Sequence, residues 1–205
     1  MRRFRIISGV VATIGAGGML LGAAAPSNAA VTNQKTNQQT ATQQQATTVK
    51  FAKRYFECYP DIGCRTTAQL PRTWRYVRLG SSQTRFLDDA HNRMIRFNTS
   101  YGGRVSTATA LKRKVAALKG TRGLHIVGTS TVTMRSTSGQ GPLKVSTLVY
   151  TYRSGNITRW VATRYVALWG TTEAEVEISV AGSPRDSKLL GTVINRATQS
   201  VTLAG

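Results

Sequence analysis

Apolar and polar residues alternate along most of the chain from residue 70 onward, which is the pattern of strands with one buried face. The alternating runs are residues 74–79, 84–87, 94–98, 124–135, 144–153, 157–169 and 174–180. The first three form a meander with a polar turn at 88–92. The loops between the later runs are rich in Gly, Ser and Asn, which suits antiparallel connections.

The run at 174–180 has one apolar and one polar face. Glu175, Glu177 and Ser179 lie on the polar side, which is expected to face water. Glu173 shares that side by the two-residue period of a strand, so three carboxylates form a row. Such a row has the groups that a cation site or a pair of glycosidase carboxylates needs. A solvated face that offsets neighbouring arginines is the preferred interpretation.

Two segments instead follow a helical spacing of three and four residues. Residues 106–119 repeat apolar side chains at this spacing and stop before Gly120. The second segment begins at Ser183, a good N-cap, with Pro184 at the first helical position and an apolar stripe over 189–197. A largely antiparallel sheet of about six strands with two main helices packed on it is predicted, an α+β sandwich.

The N-terminal segment differs in composition from the rest. Arginines, an apolar run at 6–25 and a small-residue end predict a cleavable signal peptide over 1–30, with retention as a membrane anchor disfavoured. Residues 31–49, rich in Gln and Thr, predict a disordered tether, and 50–205 a single basic domain. A secreted, extracellular protein without a stable membrane anchor is expected, and the paired arginines leave the twin-arginine route open.

The chain is strongly basic. It carries 28 Lys and Arg against 8 Asp and Glu, and removal of the three leader arginines leaves 25 − 8 = +17. Such an excess attracts polyanions through long-range fields. Two interpretations remain open: a surface that binds an anionic cell-wall polymer or another polyanion, or charge spread around the domain for solubility.

Cys58 and Cys64 are the two cysteines of the chain. Pro and Gly between them favour a chain reversal, and an exported protein with an even pair favours a disulfide. Their spacing does not match the Cys-x-x-Cys of redox-active pairs. Only His91 and His125 could add metal ligands of the histidine type, so no metal site is predicted.

The meander carries the most distinctive surface candidates. They are Arg72, Arg75, Arg78, Arg85, Arg93 and Arg96, interleaved with Trp74 and Tyr76. Arginine suits bidentate contacts to phosphate, and the aromatic rings could stack on bases or sugars. Strand alternation separates these residues onto two faces, so one or both aromatics are expected in the core. Arg153, Arg159 and Arg164 in the later hairpin raise the same possibility of a basic sheet face.

His91 follows Asp88 and Asp89, and an Asp–His pair can orient a general base. A nucleophile or second acid would have to converge on it, and polar residues are common in turns for local hydrogen bonding. The chain from residue 31 has no HExxH, GxSxG or P-loop motif. The sequence therefore predicts a protein that is not an enzyme and needs no cofactor.

The layout resembles the PsbP-like fold and, within it, the actinobacterial extracytoplasmic group of LpqN and LpqT. The residues that carry the resemblance are Leu70-Pro71-x-x-Trp74, Arg85-Phe86-Leu87-Asp88-Asp89, the paired strands at 144–170, and the terminal strand and helix at 175–203. The resemblance implies a binding or accessory module without catalysis. This chain departs from the group by lacking the lipid-attachment cysteine and by being far more basic.

The leading hypothesis is therefore a secreted, non-catalytic binding or accessory module at the cell envelope, held to anionic cell-wall polymer or another polyanion. A protein partner at the envelope is a further possibility. The alternatives are a secreted hydrolase that uses His91 with Asp88 and Asp89, and a sensor module for a small apolar ligand held between the sheet and the helices.

Overall fold

The computed structural model of the protein describes residues 49–59, 63–101 and 104–203, so the predicted signal peptide and almost all of the tether lie outside the described residues. Within those ranges the strands are β1 Phe51–Tyr59, β2 Gly63–Pro71, β3 Arg75–Arg78, β4 Gln83–Asp88, β5 Arg93–Asn98, β6 His125–Arg135, β7 Pro142–Ser154, β8 Ile157–Ala167, β9 Val176–Gly182 and β10 Thr202–Leu203. The helices are α1 Thr107–Ala117 and α2 Ser187–Ser200. The predicted α+β class is confirmed.

The strands form two sheets. Seven of them follow the order β3-β4-β5-β9-β8-β7-β6, and three form a smaller sheet in the order β1-β2-β10. All the pairings between these strands are antiparallel. The chain crosses from β5 through α1 to β6 at the far edge, and β9 then returns to the middle of the large sheet. The terminal strand β10 pairs with β2 and closes the small sheet.

The prediction of about six strands in one sheet is wrong, because ten strands in two sheets are present in the described part of the chain. The pattern missed the hairpin of β1 and β2, which flanks the cysteine loop. Thr66, Thr67 and Ala68 are all buried in succession in β2, so the strand shows no apolar alternation. Buried threonines that are hydrogen-bonded count as polar residues, so a pattern of apolar and polar positions does not indicate their burial.

Both predicted helices are present. The Ser106 side chain accepts a hydrogen bond from the Thr109 amide at 3.2 Å and caps α1, and Gly120 beyond its end has φ +84°. Ser183 accepts from the Arg185 amide, but it caps a 3₁₀ turn at Pro184–Asp186 that precedes α2. The predicted N-cap therefore acts one turn earlier than the α-helix itself.

The two faces of the large sheet are covered differently. One face, called here the α2 face, includes Phe97 and Ile178 and packs against α2 and the small sheet, with Phe56 of β1 inserted between them. The opposite α1 face includes Leu148 and Val161, which pack against the apolar side of α1. The small sheet and α2 thus cover one face widely, whereas a single short helix covers the other.

The hairpin of β1 and β2 places Cys58 directly opposite Cys64 in its register. The Cα atoms of directly opposed residues in an antiparallel pair lie close enough for a disulfide bond. The predicted disulfide itself stays a prediction. Among the described residues, no helix is long and apolar enough to span a membrane.

A groove between α1 and strand β5 as the candidate functional site

A groove runs along the α1 face between α1 and β5, with a volume of about 180 Å³. Its floor is formed by the strands between them, with Tyr150, Tyr152, Val161, Ser179 and Ala181. Its walls are Met94 and Arg96 on the β5 side, and Lys114, Leu118 and Thr121 on the α1 side. The groove therefore combines an aromatic and apolar floor with one cation on each wall.

The groove exists because α1 is short and lies off-centre. Its apolar side chains Leu111, Val115 and Leu118 pack onto Leu148 and Tyr150 of β7. This contact leaves the α1 face of β4 and β5 uncovered by any helix. A helix about 10 Å in diameter cannot cover seven strands spaced about 4.8 Å apart, so an open channel remains beside it.

A buried carboxylate holds the two walls together. Glu177 of β9 is only 4% exposed. Its carboxylate accepts hydrogen bonds from Arg96 at 3.1 Å and from the Tyr101 hydroxyl at 3.1 Å, and Lys114 Nζ lies 3.8 Å away. The Ser179 hydroxyl also donates to it at 3.2 Å. One negative charge thus compensates two cations, which leaves a net positive charge at the groove.

The expectation that the polar face of β9 meets water is wrong for Glu177 and Ser179, which are 4% and 5% exposed. The packing of α1 and the segment before it onto this face supplies the polar partners that make such burial tolerable. Glu173 remains exposed, and its carboxylate accepts hydrogen bonds from the Thr172 amide and hydroxyl. Burial, with the Glu173 charge, raises the pKa of Glu175.

The six predicted arginines divide between the two faces of the sheet. Arg85 pairs directly with Arg96, and Arg75 pairs with Leu87, two residues beyond Arg85. Because directly paired residues share a face, Arg75, Arg85 and Arg96 lie on the α1 face. Arg93 lies on the α2 face. Arg72 lies in the turn after β2, and Arg78 ends β3 with Nε donating to the Gly80 carbonyl at 3.3 Å.

Several of these arginines are already paired with carboxylates. Arg75 makes a two-pronged contact to Asp89 at 2.8 and 3.0 Å, which raises the pKa of Arg75 and lowers the pKa of Asp89. Arg93 lies 3.6 Å from Asp88 and 3.2 Å from Asp186. These pairs offset the charge that the sequence alone would assign to a binding surface.

Arg85 differs from them. No carboxylate lies within 4.0 Å of it among the described residues, and its cross-strand neighbour Arg96 is another cation. Like charges directly opposite one another destabilise a sheet. The Arg96–Glu177 pair and the charge of Asp89, which interacts with Arg85, each relieve part of that repulsion.

The two aromatic residues of the meander differ in solvent exposure. Trp74 is 3% exposed and belongs to the core, whereas Tyr76 is 38% exposed and its ring lies against Phe86. The expectation that at least one of them is in the core is confirmed. In the later hairpin, Arg164 donates to Asn195 and Thr198 of α2, and burial lowers its pKa to about 10.

His91 and Asp88 do form the predicted pair, with Nδ1 3.0 Å from both carboxylate oxygens. They line a second cavity of about 470 Å³ with Lys50, Arg72 and Arg93, among other residues. Arg93 and His91 share the Asp88 carboxylate, so the pair is part of an ion-pair cluster. No group of three His, Cys, Asp or Glu side chains suited to a metal occurs in the described part of the chain.

Sequence reasoning named Arg153 and Arg159 as candidates but missed two exposed cations at the Thr121 end of the groove. Lys119 and Arg122 are adjacent in the chain to lining residues, and both are exposed. Arg153 does not belong to this group, because it follows Tyr152 in β7 and its side chain therefore points to the opposite face of the sheet, although its amide donates to the Arg122 carbonyl at 2.9 Å. Arg159 shares a face with Tyr152 through their register and donates to the Asn92 carbonyl. The sequence feature that could have indicated these cations is the predicted helix at 106–119, which contains four lysines and arginines and no acidic residue.

Buried tyrosines near the groove predict a loss of stability at alkaline pH. Burial raises the pKa of Tyr150 to about 12 and also raises the pKa of Tyr165. Unfolded tyrosine titrates near pH 10, so between about pH 10 and 12 the unfolded chain loses protons that the folded chain keeps. The free energy of unfolding should therefore fall as pH rises through this window. Urea unfolding at pH 9 and 11 measures it.

Tyr150→Phe should reduce this alkaline loss, while Tyr55→Phe on the exposed surface should leave it unchanged. Absorbance at 295 nm should show the matching late ionisation in the native protein. An equal pH dependence in Tyr150→Phe and the native protein would contradict the assignment.

No protein-family model and no curated protein matches this chain. Solved structures similar to it include LpqN of Mycobacterium tuberculosis, involved in cell envelope biogenesis, with 15% identity and a TM-score of 0.48 over 76% of this chain and 92% of LpqN. The Ran-binding protein Mog1p of Saccharomyces cerevisiae has 9% identity and a TM-score of 0.50 over 76% of this chain and 96% of Mog1p. PA94 of Pseudomonas aeruginosa, a putative regulator, has 12% identity and a TM-score of 0.41 over 76% and 98%. The resemblance expected from the sequence is confirmed as a likeness of fold.

Proposed function

We propose that the protein is a non-catalytic accessory module of the cell envelope that binds an anionic glycopolymer in the groove between α1 and β5. The observation that carries this proposal is the pair of cations, Arg96 and Lys114, on opposite walls of a groove with two tyrosines in its floor. A chain of sugars and anionic groups presents the matching surface, with apolar ring faces between charged substituents. The signal peptide predicted from the sequence supplies the expected location.

The charge around the groove supports an anionic ligand. Arg96 and Lys114 contribute two positive charges against the single carboxylate of Glu177, and Arg85 lies directly across from Arg96. At the Thr121 end, Lys119 and Arg122 have no carboxylate within 4.0 Å among the described residues. A channel lined by one sign of charge raises the local concentration of a ligand of opposite charge.

The floor supports a ligand with apolar faces. Tyr150 and Tyr152 lie with ring centroids 6.2 Å apart and form neighbouring aromatic contacts along the groove. Tyrosine combines an apolar ring with a polar hydroxyl, which suits surfaces that are partly wet. Sites of this kind derive affinity from apolar contact and orientation from a few placed polar groups.

Of the six arginines predicted from the sequence, Arg85 and Arg96 belong to this surface. Arg75 and Arg93 are held by carboxylates, and Arg72 lines the cavity beside His91. The proposed binding surface is therefore centred on the uncovered part of the α1 face. The meander supplies one wall of it and α1 supplies the other.

The test is binding of the purified protein to isolated cell wall and to heparin across a salt series. Binding should fall steeply with salt, because it releases counterions from the polymer. The variant Lys119→Gln/Arg122→Gln should bind about tenfold more weakly at low salt and show a shallower salt dependence, since each cation near an anionic surface contributes about 1 kcal/mol or less.

The matched control removes one exposed lysine and one exposed arginine from elsewhere, in the variant Lys53→Gln/Arg185→Gln. It has the same net charge as the groove variant, so it should retain most of the binding if the groove is the site. Equal losses in the two variants would mean that net charge alone attracts the polymer. Absence of binding at low salt would overturn the proposal.

A further inference from the structure

Strand β6 forms an open edge of the large sheet. It is the last strand in the order and pairs only with β7. Ten of its eleven residues are exposed, because neither helix reaches this edge. Val127 and Val132 are 55% and 46% exposed and, with Ile126, form a concentration of exposed large apolar side chains on this strand. An edge of this length offers a row of backbone donors and acceptors to another strand.

The other edges in the described part of the chain are protected, and this one is not. Strand β3 has arginines at both ends of its four residues, and strand β1 carries Lys53 and Arg54. Strand β10 has only two residues. In β6, by contrast, residues 126–134 contain no charged residue and no proline. Natural sheets usually place charge, proline or a bulge on an edge to prevent pairing.

The single bulge of β6 lies near its start and leaves most of the strand regular. The register with β7 shifts between Ile126 and Gly128 and then continues without interruption to Arg135. A regular stretch of eight residues is longer than a typical strand. It can therefore support a complete additional strand at this edge.

The sequence of this stretch is complementary to itself. In antiparallel pairing centred on Thr131, that residue lies opposite its own copy and Thr129 lies opposite Thr133. Threonine pairs are favourable across strands. Arg135, the one charged residue of the stretch, would lie opposite the bulge at Val127 and far from its own copy, so no like charges meet.

We propose that β6 pairs with β6 of a second copy of this chain, which joins the two seven-stranded sheets into one continuous sheet. The twofold axis of such a pair is perpendicular to the sheet and passes close to Thr131. Both α1 faces would then lie on the same side of the dimer. If the groove binds a polymer as proposed above, the dimer presents two grooves to one chain, and binding gains from avidity.

Salt dependence separates this inference from the proposed function. Two strongly basic molecules repel one another, so screening by salt should strengthen the dimer. Polymer binding should instead weaken with salt. A monomer that still binds polymer would overturn the dimer alone, and a dimer that binds no polymer would overturn the proposed function alone.

The experiment is analytical ultracentrifugation of the purified protein from low to high salt. A monomer–dimer equilibrium is expected, with a larger dimer fraction at high salt. Thr131→Lys puts a lysine against its own copy and should raise the dimer dissociation constant at least tenfold. Tyr55→Lys adds the same charge at the edge of the small sheet and should leave the dissociation constant unchanged.

Thr131 also shares a hydrogen bond with Ser146 at 2.9 Å, so circular dichroism must show that Thr131→Lys is folded. A second variant does not depend on that outcome: Thr131→Cys should form a covalent dimer on mild oxidation, whereas Val127→Cys should not. A monomer at every salt concentration, a dimer unaffected by Thr131→Lys, or open-ended larger assemblies would each overturn the proposal.

Discussion

Replacing Phe56 with alanine is expected to lower the free energy of unfolding by about 3–5 kcal/mol, the usual range for removing a buried phenylalanine. Phe56 is 1% exposed and joins the small sheet to the large one. Its ring contacts Phe97 at a centroid distance of 4.7 Å and Phe86 at 5.5 Å. The variant loses both the buried apolar area and the aromatic contacts, and it leaves a cavity between the sheets.

Urea unfolding at neutral pH measures this loss. Tyr55→Ala, on the exposed side of the same strand, is the control and should cost less than about 1 kcal/mol. Hydrogen exchange should show that amides of β1 and β2 become less protected than those of β7 and β8. A loss under about 1 kcal/mol in Phe56→Ala would contradict the role given to this residue.

Replacing Glu177 with glutamine is expected to lower the free energy of unfolding by about 2–3 kcal/mol. Removing one partner of a buried ion pair typically costs about 3–5 kcal/mol, because the other charge is left uncompensated. Here Arg96 and Lys114 are 32% and 26% exposed in their side chains, so water offsets part of the cost. Glutamine keeps the size of the side chain, which confines the change mainly to charge.

The control for this substitution is Glu173→Gln, since that carboxylate is exposed and lies outside the cluster. It should change stability by no more than about 0.5 kcal/mol. The double variant Glu177→Gln/Lys114→Gln should lose less than the sum of the single losses, because it removes one uncompensated cation. Additive losses would show that Glu177 and Lys114 do not interact.

The position of Glu177 shows where local pattern stops being informative. Strand alternation places it on the polar side of β9, and that much is correct. Whether a polar side meets water depends on what packs over it, and α1 is more than fifty residues earlier in the chain. The same strand therefore satisfies the alternation rule and still buries its glutamate.

The arginines of the meander show a related limit. Their strand period correctly separates Arg93 from Arg96, because successive side chains point to opposite faces. The pattern does not reveal that Asp186, from the turn before α2, pairs with Arg93. Charges that are distant in sequence meet only through the fold, so a basic cluster in sequence is a poor measure of net charge in space.

The sequence by itself determined the local elements: the two helices, the meander with its turn, and the long hairpin of β7 and β8. These depend on side-chain period, caps and turn residues that act over a few neighbouring positions. Only the tertiary structure decided that the strands divide into two sheets, that α1 leaves a groove beside β5, and that β6 has an uncharged open edge. These features depend on which elements pack together, and contacts between residues far apart in the chain carry no local periodic signal.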